Sequence, residues 1–183
     1  MNQQLIDLVV QSRENYQCAF AIHDILREAE ENLRERFWDA LETALNQELI
    51  DTQMEQYWCV TKSFKDREVY VSAKAHPSEP FLKLGVVVES RLWCGVYFSE
   101  NIPDPPQQIA VLRSVLPGDW KQPDASWWVS GYDSRLSIWD RDFLADVAAD
   151  PLSVAQPMAA ALSEALRKWS QDLIAANAAL GRP

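Results

Sequence analysis

The sequence is poor in glycine and histidine, and it lacks the glycine patterns that bind phosphate groups. Five glycines are scattered over 183 residues, without a G-x-G-x-x-G or G-x-x-x-x-G-K motif. Because those motifs bring backbone N–H groups close to a phosphate, nucleotide binding of these kinds is excluded. Two histidines and the absence of a Cys-x-x-Cys pair also argue against a structural zinc site. We therefore predict neither a cofactor nor a bound metal. Cys18, Cys59 and Cys94 have apolar or aromatic neighbours, which predicts buried free thiols.

Long apolar runs and an excess of basic residues are also lacking. No stretch approaches the roughly 20 apolar residues that cross a bilayer, and Met1–Asp7 lacks the basic residues of a signal peptide. Lys and Arg number 17 against 27 Asp and Glu, which gives a formal net charge of −10. Nucleic acids and anionic membranes bind clustered positive charge. The sequence therefore predicts a cytoplasmic protein that contacts neither of them directly.

The spacing of apolar residues predicts a single α+β domain over residues 1–183, with N-terminal helices, a central antiparallel sheet of about 4–5 strands, and C-terminal helices. Residues 1–50 are expected to be helical, 56–130 mainly strands, and 139–180 helical, with the terminal helix starting at Pro157. Because one uninterrupted helix over residues 3–50 would be unusually long, we expect a break near Glu30–Asn32. A short helix is also expected over Pro106–Val115. The expected strands are Tyr57–Thr61, Glu68–Ser72, Leu82–Val88, Leu92–Phe98 and Ser126–Ser130.

The acidic excess is concentrated in one helical region. Residues 24–55 hold ten acidic residues and three arginines, a net charge of −7. Four of these acids recur at helical spacing and form what we call the acidic ridge: Glu31, Glu35, Asp39 and Glu42. The ridge is either the solvated face of an amphipathic helix or a surface that binds a basic protein, with carboxylates standing in for phosphates.

Tryptophan is the other enriched residue type, with eight in the chain. Trp127 and Trp128 are adjacent in an expected strand, so their side chains point to opposite faces, and the exposed one is a candidate for binding a partner. The predicted partner-binding residues are Glu28, Glu31, Glu35, Asp39, Glu42, Trp127 and Trp128.

Two clusters of charged residues are the candidates for catalysis. Asp119-Trp120-Lys121 is similar to the acid-x-Lys element of metal-dependent nucleases, and Asp140 with Asp142 supplies paired carboxylates. We expect neither to form a catalytic site, because the tripeptide follows a Pro-Gly turn and acidic pairs are abundant in this chain. The alternative hypothesis is a degenerate metal-dependent nuclease that uses Asp119, Lys121, Asp140 and Asp142.

From about Leu33 onward the order of features resembles the C-terminal accessory region found behind the nuclease core in some PD-(D/E)XK-superfamily proteins. The matching segments are Arg36-Phe37-Trp38-Asp39-Ala40-Leu41, Leu92–Tyr97, Trp127–Val129 and the stretch from Asp140 to Leu180. The resemblance implies an α+β interaction module that carries no catalytic residues. Since no nuclease core precedes these segments, it implies an accessory module that stands alone.

The leading hypothesis is therefore a non-enzymatic interaction protein that binds a protein with a basic surface. One form of it is a phage or mobile-element inhibitor, similar in logic to acidic anti-CRISPR proteins. A third hypothesis is a homo-oligomer in which the apolar residues from Leu5 to Phe20 complete a helical bundle with another copy.

Overall fold

The computed structural model describes residues 3–63, 68–74, 82–88, 92–98, 127–130 and 137–180. Only the backbone is described in the strands between residues 82 and 130, at residue 172 and over 175–180. The helices are α1 (Gln3–Val10), α2 (Arg13–Asp51), α3 (Arg141–Ala149) and α4 (Pro151–Leu180). The strands are β1 (Trp58–Ser63), β2 (Glu68–Ala73), β3 (Leu82–Val88), β4 (Leu92–Phe98) and β5 (Trp127–Ser130).

The N-terminal helical region breaks at Gln11–Ser12, so the predicted break near Glu30–Asn32 is wrong. Ser12 has an extended backbone (φ −146°, ψ 162°), and its hydroxyl accepts the N–H of Asn15, which makes it the N-cap of α2. Beyond this cap α2 continues for 39 residues, about 58 Å at 1.5 Å per residue. Around the expected break, Glu30 and Glu31 instead bind Arg34 along the same helix.

The C-terminal helix also begins earlier than the predicted Pro157. Pro151 occupies the first helical position, and the Asp150 carboxylate accepts the N–H groups of Leu152 and Ser153, both at 3.2 Å. Pro157 lies inside the helix, in its second turn. At this seventh helical position the proline ring replaces the N–H that would bond to the Ser153 carbonyl, so the helix continues without that hydrogen bond. Among the described helices, none has the length and apolarity needed to cross a bilayer.

The described core lies between helices. The C-terminal half of α2 packs against α3, α4 and the first two strands. Phe37 of α2 meets Phe143 of α3 edge to face, with ring centroids 5.1 Å apart. At the other end, the Trp58 indole N–H donates to the Ser170 hydroxyl at 3.0 Å, which joins β1 to α4. The largest fully buried side chains are Trp38, Trp58, Phe37, Leu41, Leu45, Ile138, Leu162, Leu166 and Leu173.

The predicted α+β domain organised around a central sheet of about four to five strands is wrong. Among the residues whose side chains are described, 75% are helical, and the only sheet is the antiparallel β1–β2 pair. This pair contributes Trp58, Val69, Val71 and Ala73 to a core that the helices dominate. Backbone pairing continues antiparallel from β2 through β3 and β4 to β5. The error arises because the second half of α2, together with α3 and α4, supplies most of the described core. The helix expected over Pro106–Val115 lies outside the described residues.

Candidate functional site

The first half of α2 extends away from the core. No residue between Arg13 and Asn32 is buried, and we call this segment the arm. Its apolar residues follow the same three-and-four spacing as the buried half. Along α2, the first buried residue is Arg34, with 6% of its surface exposed. The arm therefore ends at Asn32, just before the part of α2 that α3 and α4 cover.

Arg34 connects the arm to the turn that precedes α3. Its Nε donates to the Ile138 carbonyl oxygen at 3.2 Å, and its guanidinium carbon lies 4.3 Å from the centre of the Trp139 ring. The two remaining nitrogens bind Glu31 at 2.8 Å and Glu30 at 3.1 Å. A planar guanidinium can make all these contacts at once, which an ammonium group cannot. Arg34 therefore holds Trp139 in a defined position.

A groove of about 790 Å³ opens beside this contact, and we call it the junction groove. Four acids and two arginines give its walls a net charge of −2. The Trp139 side chain forms one wall and is 46% exposed. The lining residues are Asp24, Arg27, Glu28, Glu30, Glu31, Arg34 and Trp139.

The structure divides the predicted acidic ridge into two parts. Glu31 belongs to the junction groove, where it binds Arg34. Asp39 and Glu42 instead bind the Lys62 ammonium of β1, with Glu42 at 2.8 Å. The hydrogen bonds that the Lys62 ammonium donates, first to Asp39 and then to Glu42, raise its pKa above the ordinary value of 10.5. Glu35, which lies between Glu31 and Asp39 in the sequence, is half-buried. Only Glu28 and Glu31 of the predicted acidic residues line the groove.

The two predicted binding tryptophans lie in β5, where only the backbone is described. Trp127 pairs with Tyr97 and Trp128 with Val96 in the register of β4 and β5. Their predicted role in binding stays a prediction.

The candidate catalytic residues do not come together among the described residues. Asp140 is the N-cap of α3, and its carboxylate accepts the N–H of Asp142 at 2.9 Å. This local contact accounts for the Asp140 side chain by helix capping. Asp119 and Lys121 lie outside the described residues. Within the described ranges no group of three or more His, Cys, Asp or Glu side chains is placed to hold a metal ion.

The cysteines differ in environment, and the prediction of buried thiols is wrong for Cys18. Cys18 is exposed on the arm and Cys59 is half-buried in β1, both as free thiols. The side chain of Cys94 is outside the described part. Cys18 is exposed for the same reason as its apolar neighbours, because the described core does not extend to that part of the arm.

Sequence reasoning missed Trp139 and Arg34 as site residues. The spacing of Trp139, Phe143, Leu144 and Val147 predicts one buried helical face, but α3 begins only at Arg141. Asp140 was the available signal, since an Asp that caps a helix leaves the preceding residue outside it. Nothing in the sequence indicated that Arg34 contacts a residue more than one hundred positions away.

No family model, curated protein or solved structure matches this chain. The resemblance to the accessory region of PD-(D/E)XK-superfamily proteins therefore stays a prediction.

Proposed function

We propose that this protein is a non-enzymatic interaction protein that binds a basic partner protein at the junction groove. The observation that carries the proposal is Trp139, which is about half exposed, stacked on Arg34 and surrounded by carboxylates. Tryptophan and arginine are the side chains that most often dominate binding energy at interfaces. Carboxylates around them attract a positively charged partner and orient it.

The junction groove is better suited to binding a partner than the part of the acidic ridge formed by Asp39 and Glu42. Asp39 and Glu42 already share Lys62, so a basic partner would have to compete with that ammonium group. Asp24 and Glu28 line the open groove and are exposed. Arg34 is buried and anchored to the Ile138 carbonyl, so the partner would meet a tryptophan that is already ordered. Preorganisation of this kind lowers the entropic cost of association.

The expected partner presents lysine or arginine side chains beside an apolar group that covers the indole. In this proposal the protein acts in the cytoplasm, where the free thiols of Cys18 and Cys59 would stay reduced. Its net charge of −10 supports one specific form: an inhibitor from a phage or mobile element that occupies a nucleic-acid-binding channel, similar in logic to acidic anti-CRISPR proteins.

The proposal is tested by capturing the partner from host extract on the wild-type protein and measuring its affinity for matched variants. Asp24→Lys with Glu28→Lys reverses two groove charges, and Trp139→Ala removes the aromatic wall. Loss of a central tryptophan typically costs at least about 2 kcal/mol, so W139A should bind roughly 30-fold more weakly.

The control is Asp146→Lys with Glu164→Lys, which changes the net charge equally at exposed positions outside the groove. Equal affinity for wild type, W139A and D24K/E28K would refute the proposal. Cleavage of DNA or RNA with added Mg²⁺ or Mn²⁺ would instead favour the nuclease hypothesis.

A further inference from the structure

The arm has a second face, which is apolar and lies opposite the junction groove. Ala19, Ile22, Leu26, Ala29 and Leu33 alternate at spacings of three and four, so they share one side of the helix. We call these five residues the apolar stripe. Asp24, Arg27 and Glu28 of the groove fall on the other side at 100° per residue.

The apolar stripe is open to solvent over most of its length. Ile22 is 59% exposed, Leu26 is 58% exposed, and Ile25 beside them is 66% exposed. Only Leu33, at the junction, packs against the described core. Exposed large apolar side chains also continue into α1, at Leu5, Ile6, Leu8 and Val10.

The charge distribution favours a second copy of the chain as the occupant. Neither the stripe nor the adjacent Cys18 and Ile25 carries a charge, whereas the whole chain carries −10. A two-fold symmetric interface places the same patch on both sides, so it must be self-complementary. An uncharged apolar strip meets that requirement, while two acidic faces would repel each other.

We propose that two copies pair through this stripe, with their α2 arms antiparallel. In this arrangement Ile22 of one copy packs against Leu26 of the other, and Ala19 packs against Ala29. The alanines at both ends allow the helices to approach closely, with the larger side chains filling the centre. Antiparallel pairing also places the folded bodies of the two copies, each of which includes the acidic second half of α2, at opposite ends of the paired arms. A parallel pair would bring them side by side and place Ile25 against Glu30 of the second copy.

The first test is the mass of the full-length protein in solution at micromolar concentration, measured by sedimentation equilibrium. Wild type should have about twice the 20.9 kDa of one chain. Ile22→Lys with Leu26→Lys should reduce the mass to that of one chain, although lysine lowers the net negative charge and thus the repulsion between copies. Retained helical circular dichroism would show that the variant is folded.

The matched control replaces two similarly exposed residues on the groove side of the same arm. Tyr16→Lys with Phe20→Lys should leave the mass at two chains, because both lie outside the apolar stripe. A single-chain mass for wild type would overturn the proposal. Dissociation by Y16K/F20K together with an intact I22K/L26K dimer would overturn the choice of face.

The second test determines the orientation of the two arms by disulfide formation. All variants carry Cys18→Ser to remove the exposed native thiol. A mixture of I22C and L26C proteins should form a covalent dimer under mild oxidation, and each protein alone should form far less. Rapid self-linking by I22C alone would indicate a parallel pair and refute the antiparallel arrangement. The apolar stripe and the junction groove occupy different faces, so these tests do not depend on the proposed function.

Discussion

The two halves of α2 have nearly the same pattern of apolar residues but opposite environments. Phe20, in the arm, is 56% exposed, whereas Phe37, in the second half, is completely buried. Leu26 and Leu45 differ in the same way. The difference lies in what covers the helix, since α3, α4, β1 and β2 supply the described core only around the second half. An apolar helical stripe thus indicates a surface that is suited to burial, and the available partners decide whether burial occurs inside the chain or with another molecule.

The largest difference in stability is expected between two phenylalanine-to-alanine variants, one in each half of α2. Phe37→Ala leaves a cavity in a close-packed site against Phe143 and should lower the free energy of unfolding by about 3–5 kcal/mol. Phe20→Ala removes an exposed ring and should change it by less than about 0.5 kcal/mol. Urea denaturation followed by circular dichroism measures both. A comparable loss in both variants would show that the arm is covered in solution by part of the same chain.

A smaller effect is expected at Arg34, where the two halves meet. Arg34→Met keeps the aliphatic stem but leaves the Ile138 carbonyl without its donor, which should cost about 2 kcal/mol. Glu30 and Glu31 are partly exposed, so water can solvate their carboxylates after the change. Arg36→Met, at an exposed position nearby, is the control and should be close to neutral. Equal stability of R34M and R36M would mean that Arg34 does not anchor the junction.

The smallest effect concerns the acids of the second half, which bind Lys62. Lys62→Met should cost about 0.5 kcal/mol at neutral pH, because the pair is only partly shielded from water. The raised pKa of Lys62 means that its stabilising effect is fully present below pH 10.5 and is lost as the pH rises through the folded-state value.

The stability of wild type should therefore fall more steeply than that of K62M above pH 10.5. Lys168→Met removes an exposed ammonium that does not bridge to α2, and it should retain the wild-type slope. Parallel profiles for wild type and K62M would contradict the assignment of Asp39 and Glu42 to this ion pair.

The helical segments were predictable because each carries a regular stripe of apolar residues. Ser12 and Asp140 are both capping residue types, but the apolar spacing continues across both positions and hides the helix starts that they define. The apolar pattern also does not predict how the core divides between helices and strands. The patterns at Tyr57–Thr61 and Glu68–Ser72 predict strands that the structure confirms, but a pattern cannot show which layer supplies most of a core.

The candidate site was predictable only in part, since the acidic region was evident but its division was not. Glu31, Asp39 and Glu42 have the same residue character and regular spacing. Their roles separate only because Lys62, on a strand, lies next to the last two. The same limit applies to Trp139, whose position depends on a contact with Arg34 across the fold.

By itself, the sequence determined that residues 24–55 are strongly acidic and that most of them are helical, because charge and apolar spacing are local properties. The tertiary structure decided which half of α2 is buried, which acids bind cations within the chain, and which face of the arm stays apolar and exposed. These features depend on contacts between residues that are distant in sequence. Such contacts join the middle of α2 to Lys62 of β1 and to the turn before α3, and no local pattern encodes that geometry.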